Sequence, residues 1–142
     1  MSEPNMELAS GIAAFEAKEF ANALKLLSPL AEQGDPRAQY RMAIMHQNGL
    51  GVVKNDLLAF KWMRAAAEQG IALAQHGLGF MYLQGECAPK NAAEAFRWFQ
   101  KAAEQGLAGS QMTLGMMYEQ GLGVPRNEPE ARKWYDRAQR GG

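Results

Sequence analysis

The chain is poor in the residues that most often carry chemistry. Cys87 is its only cysteine, so no intrachain disulfide can form and no thiolate cluster can hold a metal. A reducing compartment fits that usage. The two histidines, His46 and His76, are too far apart in sequence for a ligand pair on one helix, which would be three or four residues apart. Of the four serines, Ser2, Ser10, Ser28 and Ser110, none opens an S-x-x-K arrangement for acylation. Cys87 has no histidine near it in sequence to activate it. These absences exclude a recognisable nucleophile–base pair and point to no metal and no cofactor.

Charge is missing in a different sense, since 15 Lys and Arg balance 15 Asp and Glu. No global field steers the molecule to nucleic acid or to an acidic membrane, so partners must be chosen by shape and local contacts. No stretch approaches the roughly 18–20 apolar residues that span a bilayer, and the first residues lack the basic and apolar segments of a signal peptide. The expected compartment is the cytoplasm; a leader removed before residue 1 would leave the same evidence. Ile, Val and Thr are scarce while Ala, Gly and Met abound, which favours helices over strands.

What is present is a period. Trp62, Trp98 and Trp134 are 36 apart, as are Gly49, Gly85 and Gly121, and Asn55, Asn91 and Asn127. Self-similarity of this length marks a repeat architecture. Three units follow, 35–70, 71–106 and 107–142. In the middle one, Ala74, Leu78, Met81 and Tyr82 fall on one helical face, predicting a helix over 72–84 that Gly85 stops. Asn91 can cap a second helix from 92, with Glu94 placed to close a capping box and Gly106 to end it. Asp35 and Pro36 start the first unit in the same style. Ala43, Gly79 and Gly115 are small enough to let paired helices approach, with the tryptophan of the second helix filling the space.

Residues 5–34 read as a further pair whose inner loop is four residues shorter. At the other end Arg132 replaces Phe60 and Phe96, and Arg137 and Arg140 follow, so 128–140 reads as a capping helix with a polar outer face. The fold class expected is all-α: a right-handed α-α superhelix, or solenoid, of about four antiparallel helix pairs in a single domain, 1–142.

The pattern A-x-x-x-L-G-x-M-Y-x-x-G at 74–85, its copy from Ser110 to Gly121, and the following N-x-x-x-A-x-x-W and A-A-E-Q-G resemble the Sel-one-like repeat, a longer relative of the tetratricopeptide repeat. The 5–34 pair is closer to the tetratricopeptide spacing. Two residues depart from the pattern: His46 stands where Tyr82 and Tyr118 do, and Cys87 where Gly51 and Gly123 do. A side chain at a left-handed position costs roughly 1–2 kcal/mol. The resemblance implies a non-catalytic scaffold or adaptor for other proteins, though fold alone does not select the partner. Some cysteine-rich relatives are discussed as β-lactam-binding proteins. A β-lactamase-like enzyme is the least favoured reading here, because the paired cysteines and the acylating motif are absent.

Functional residues are sought where the repeat leaves choice. On 72–84, Leu73, His76, Phe80 and Leu83 form a second apolar face opposite the first. Its counterparts are Arg37, Tyr40, Ile44 and Gln47 in the first unit, and Gly109, Met112, Met116 and Glu119 in the third. Leu8 and Ile12 would extend it. The resemblance would place this face on the concave wall of the solenoid, where it would bind a partner polypeptide, helical or extended, through apolar anchors. Two alternatives stand beside this. The same side chains could pack against neighbouring first helices, or they could close on a second copy as a structural homo-oligomer. A monomer or weak homodimer is expected. "GLGV" at 49–52 and 121–124 lacks the P-loop pattern and reads as a turn. The tryptophans read as core residues rather than base-stacking platforms, and no nucleic-acid partner is expected.

Overall fold

The computed structural model describes residues 3–141, with side chains from residue 6 onward. The described residues form eight helices and no strand: α1 Glu3–Glu16, α2 Phe20–Glu32, α3 Pro36–Asn48, α4 Asp56–Glu68, α5 Ala72–Gln84, α6 Ala92–Glu104, α7 Ala108–Gln120 and α8 Glu128–Arg140. They group into two compact units, Met1–Ile71 with α1–α4 and Ala72–Gly142 with α5–α8. In each unit the helices pack in consecutive pairs, and the second helix of one pair meets the first of the next. The α1–α2 connection spans 17–19, against 49–55 between α3 and α4.

The periodic residues explain why the chain turns where it does. Asn55, Asn91 and Asn127 each accept a hydrogen bond at Oδ1 from the backbone N–H three residues on, at 3.0–3.1 Å. Their own N–H groups donate to the carbonyls of His46, Tyr82 and Tyr118 at 2.8–2.9 Å. One asparagine thus caps the second helix and clips it to the end of the first. This also decides the fate of the expected capping box. The Asn91 N–H is already engaged by Tyr82, and the Glu94 carboxylate turns outward to Arg97 at 2.9 Å. Asp35 caps α3 by accepting from Arg37 and Ala38, with Pro36 in the first turn.

Close approach within a pair depends on the small residue of the first helix, but its neighbour differs from the expected one. A Cβ on Gly79 would lie 3.0 Å from the Phe99 ring, and one on Gly115 would lie 2.5 Å from the Tyr135 ring. The side chain seated on the glycine is therefore the residue after the tryptophan. Trp62, Trp98 and Trp134 are buried beside it, at 5–7% exposure. In the second unit, Ala95, Phe99, Ala103, Leu114, Met117 and Trp134 form the core cluster.

Cys87 keeps the left-handed φ of its glycine counterparts, 66° against 70° at both Gly51 and Gly123. The loop therefore retains its shape with a side chain at a position that disfavours one. His46 is buried at 5% exposure, and its Nδ1 has no hydrogen-bond partner.

Candidate functional site

In the second unit, charge is divided unevenly between first and second helices. α5 carries no Asp, Glu, Lys or Arg and α7 only Glu119, whereas α6 carries Glu94, Arg97, Lys101 and Glu104. A helix that is apolar all round either is enclosed by protein or meets a partner. The inner side of α5 is accounted for by Ala74, Leu78 and Met81, all fully buried or nearly so.

The opposite face divides by depth. Leu73 on α5 and Met112 on α7 are each 49% exposed. His76, Phe80, Leu83 and Met116 are half-buried. The Phe80 ring stands edge-on to Phe99 at 5.0 Å and to His76 at 4.9 Å, and Leu83 and Met116 lean on the same core cluster. Glu119 is exposed and accepts a hydrogen bond from the Tyr135 hydroxyl at 2.9 Å; burial first, and this bond second, push the Tyr135 phenol up. In the first unit, Tyr40, Ile44 and Gln47 are half-buried on α3. Burial raises the Tyr40 phenol against the opposing charge of Arg41. Leu8, expected to extend the face, is buried at 4% exposure, while Ile12 is half-buried.

One pairing was hidden in the sequence. His76 Nδ1 lies 2.6 Å from Ser110 Oγ, joining the first helices α5 and α7. An imidazole on a serine hydroxyl is the start of a nucleophile–base arrangement. Here Ser110 is fully buried, and no described group is hydrogen-bonded to the other ring nitrogen, so the contact acts as a bolt between helices. Burial lowers the His76 pKa, which favours the neutral ring; the hydroxyl can serve its Nδ1 as donor or as acceptor. The two residues are 34 apart, two short of the period, a neighbour relation that appears only once the helices are stacked. Part of this face is therefore used for packing between first helices, the role weighed above as an alternative to binding.

A second hidden feature is a glutamine clamp. Gln39 donates from Nε2 to the Ala31 carbonyl and accepts at Oε1 from Gln69 at 2.8 Å. In the second unit Gln105 donates to Gln75 at 2.9 Å, and Gln111 donates to Ala103 at 3.1 Å. Gln39 thereby ties α3 both to the preceding helix and to its own partner, while the Gln105–Gln75 bond ties α5 to its partner and Gln111 ties α7 to the preceding helix. The spacing of these glutamines matches the period of the tryptophans, a signal present in the sequence.

Cations lie over the tryptophan rings, with Lys61 Nζ 4.5 Å from the Trp62 centroid and the Arg137 guanidinium 4.4 Å from that of Trp134. Among the described residues, no cluster of three or more His, Cys, Asp or Glu could hold a metal ion. No described helix is long and apolar enough to cross a membrane.

The family model of the Sel1 repeat matches residues 36–71, 72–107 and 108–142. The chain belongs to the Sel1 repeat family. Its fold is the all-α helical-repeat solenoid of that family. A Sel1 repeat protein from Oxalobacter formigenes is 40% identical, with a TM-score of 0.89 over 94% of this chain and 55% of that one. The protective antigen c5321 of uropathogenic Escherichia coli strains, which displays an SLR fold, is 34% identical, with a TM-score of 0.91 over 98% of this chain and 31% of that one. This Sel1 repeat chain thus spans about half of the first structure and under a third of the second. The Helicobacter pylori cysteine rich protein B shares the fold at 21% identity, with a TM-score of 0.68 over 87% of this chain. No curated protein matches the chain significantly. Sel1 repeat proteins generally mediate protein–protein interactions and are typically non-catalytic scaffolds.

Proposed function

We propose that this Sel1 repeat chain is a non-catalytic adaptor that binds a partner polypeptide on the face of its first helices that points away from the core of each helix pair. The observation that carries the reading is the pair of half-exposed apolar residues, Leu73 and Met112, on α5 and α7, two helices almost without charge. Methionine and leucine side chains on such a face suit an adaptable, apolar contact. Around them His76, Phe80, Leu83 and Met116 supply a floor that is held by the core, and Glu119 supplies a polar edge. In the first unit, Tyr40, Ile44 and Gln47 offer the corresponding face of α3.

The structure also selects the test. Phe80 and Met116 lean on the core, so a charge there would unfold the unit as readily as block a ligand. Leu73→Glu with Met112→Glu introduces charge only where side chains are already half in water. The expected result is an unchanged helical circular dichroism signal with loss of the proteins that co-purify with the wild-type chain. Retention of every one of those proteins by the double variant would overturn the reading. Light scattering on the same pair of samples separates self-association, since a wild-type dimer that the variant abolishes would make the partner a second copy.

A further inference from the structure

Arg41 is a charged residue of the first unit that the repeat does not explain. The positions one and two periods on are Gly77 and Thr113, so neither the helix pair nor the stacking of repeats calls for a cation there. Its guanidinium is nonetheless held in place. Nη1 donates to the Arg37 carbonyl at 3.0 Å, and the group lies 5.9 Å from the Phe15 centroid and 6.0 Å from that of Tyr40. Its Nε–H is shut off from solvent and has no acceptor. Of the five donors a guanidinium carries, one is engaged.

Other arginines of the chain are treated differently. Arg64, Arg97, Arg126 and Arg140 each face a carboxylate on their own or an adjoining turn, and Arg37 lies 4.0 Å from Asp35. Among the described residues, Arg41 faces none. The hydrogen bond to Arg37 and the two nearby rings restrict the rotamer freedom of this side chain, and its Nε–H is withdrawn from water while the Nη1 end stays at the surface. An incoming carboxylate would therefore meet a preorganised guanidinium at the surface, where a charge-assisted hydrogen bond can form without further ordering of the side chain. Arg37 lies one turn away and is exposed where the second unit has the apolar Leu73, so the N-terminal part of this α3 face is basic.

We infer that Arg41, framed by Phe15 and Tyr40 on α1 and α3, receives an aspartate or glutamate side chain of a partner polypeptide whose neighbouring apolar residue rests on Tyr40 and Ile44. This rests on the proposal that first-helix faces bind polypeptides, and it names the partner's chemistry at the first unit. Arg41 positions and selects the ligand by charge; the fold of the pair does not depend on it.

The test is selection of a displayed library of random short peptides on the full chain, followed by fluorescence anisotropy of the enriched peptides. The expected binders carry an acidic residue beside an apolar one. Their affinity falls by about tenfold or more, either when that residue is changed to its amide or when Arg41→Met is used, and falls again at high salt. Arg41→Met keeps the apolar stem between the rings, and circular dichroism verifies that the pair still folds. Enriched peptides without acidic residues, peptides indifferent to Arg41→Met, or no enrichment at all would overturn the inference. Displacement by a single-stranded oligonucleotide at equal concentration would overturn it in favour of a phosphate ligand. Peptides indifferent to Arg41→Met but lost on Leu73→Glu with Met112→Glu would remove the role of Arg41 and leave the adaptor reading standing.

Discussion

Cys87 and His46 each break the repeat pattern, and each carries a measurable consequence. Cys87 holds φ at 66° with a Cβ present, so Cys87→Gly is expected to stabilise the second unit by about 1 kcal/mol, read as a rise in the urea midpoint. Cys87→Ala keeps the Cβ and should not. His46 is buried, and desolvation holds its pKa below the ordinary value; the same cause acts on His76. As pH falls from 7 to 5, the unfolded chain takes up these protons at about pH 6.5, before the folded one does, so stability is lost over that interval. His46→Tyr, which restores the residue found in the other two units, is expected to flatten this slope. Urea midpoints at the two pH values would show it, and an unaltered slope would place the effect elsewhere. Trp98, at 7% exposure, should cost about 3–5 kcal/mol on truncation to alanine, so binding lost without loss of folding would contradict its core assignment.

At the scale of the element, the helices are held by paired devices rather than by propensity alone. The capping asparagines fix where α4, α6 and α8 begin, and the glutamines help to seat α3, α5 and α7. Removing the donor in Gln69→Ala leaves Gln39 Oε1 at a site only 5% exposed. The expected loss is about 1–3 kcal/mol, measurable by chemical denaturation, because a buried acceptor without a partner bears its full desolvation penalty. The chain already contains the natural version of this experiment. Gly141 stands where Gln69 and Gln105 stand in the other units, and Gln111 Oε1 is buried with no hydrogen-bond partner. On α8 the positions of Phe60 and Phe96 are taken by the exposed Arg132, and those of Ala67 and Ala103 by the exposed Gln139. We propose that this polar face makes α8 a cap, because an apolar one would need a further repeat to cover it.

For the whole molecule, the charge distribution carries the functional proposal: second helices bear most of the ion pairs, and first helices α5 and α7 are left nearly neutral. Leu73→Glu with Met112→Glu is expected to leave the unfolding free energy within about 1 kcal/mol of wild type, since exposed substitutions rarely shift it further. Partner binding should nonetheless be abolished. A large destabilisation would mean that these side chains are packed in solution, and the free apolar face would be withdrawn. The solved relatives at 40% and 34% identity exceed this chain in length, so the partners of those longer proteins inform only the class of interaction.

The sequence by itself determined the helix pairs, their period and their ends, because these follow from local chemistry: asparagine at a cap, glycine at a left-handed turn, apolar residues at helical spacing. It also determined the buried faces of α5 and α7. It could not separate Phe80 and Met116, which lean on the core, from Leu73 and Met112, which do not, since all four are apolar and share one face of the helical wheel. Nor could it show that Phe99 rather than Trp98 seats on Gly79, that His76 bonds Ser110, or that Arg41 lacks a carboxylate. Those facts depend on where neighbouring helices bring side chains from other repeats, and depth of burial is a property of the stacked pair rather than of either helix alone.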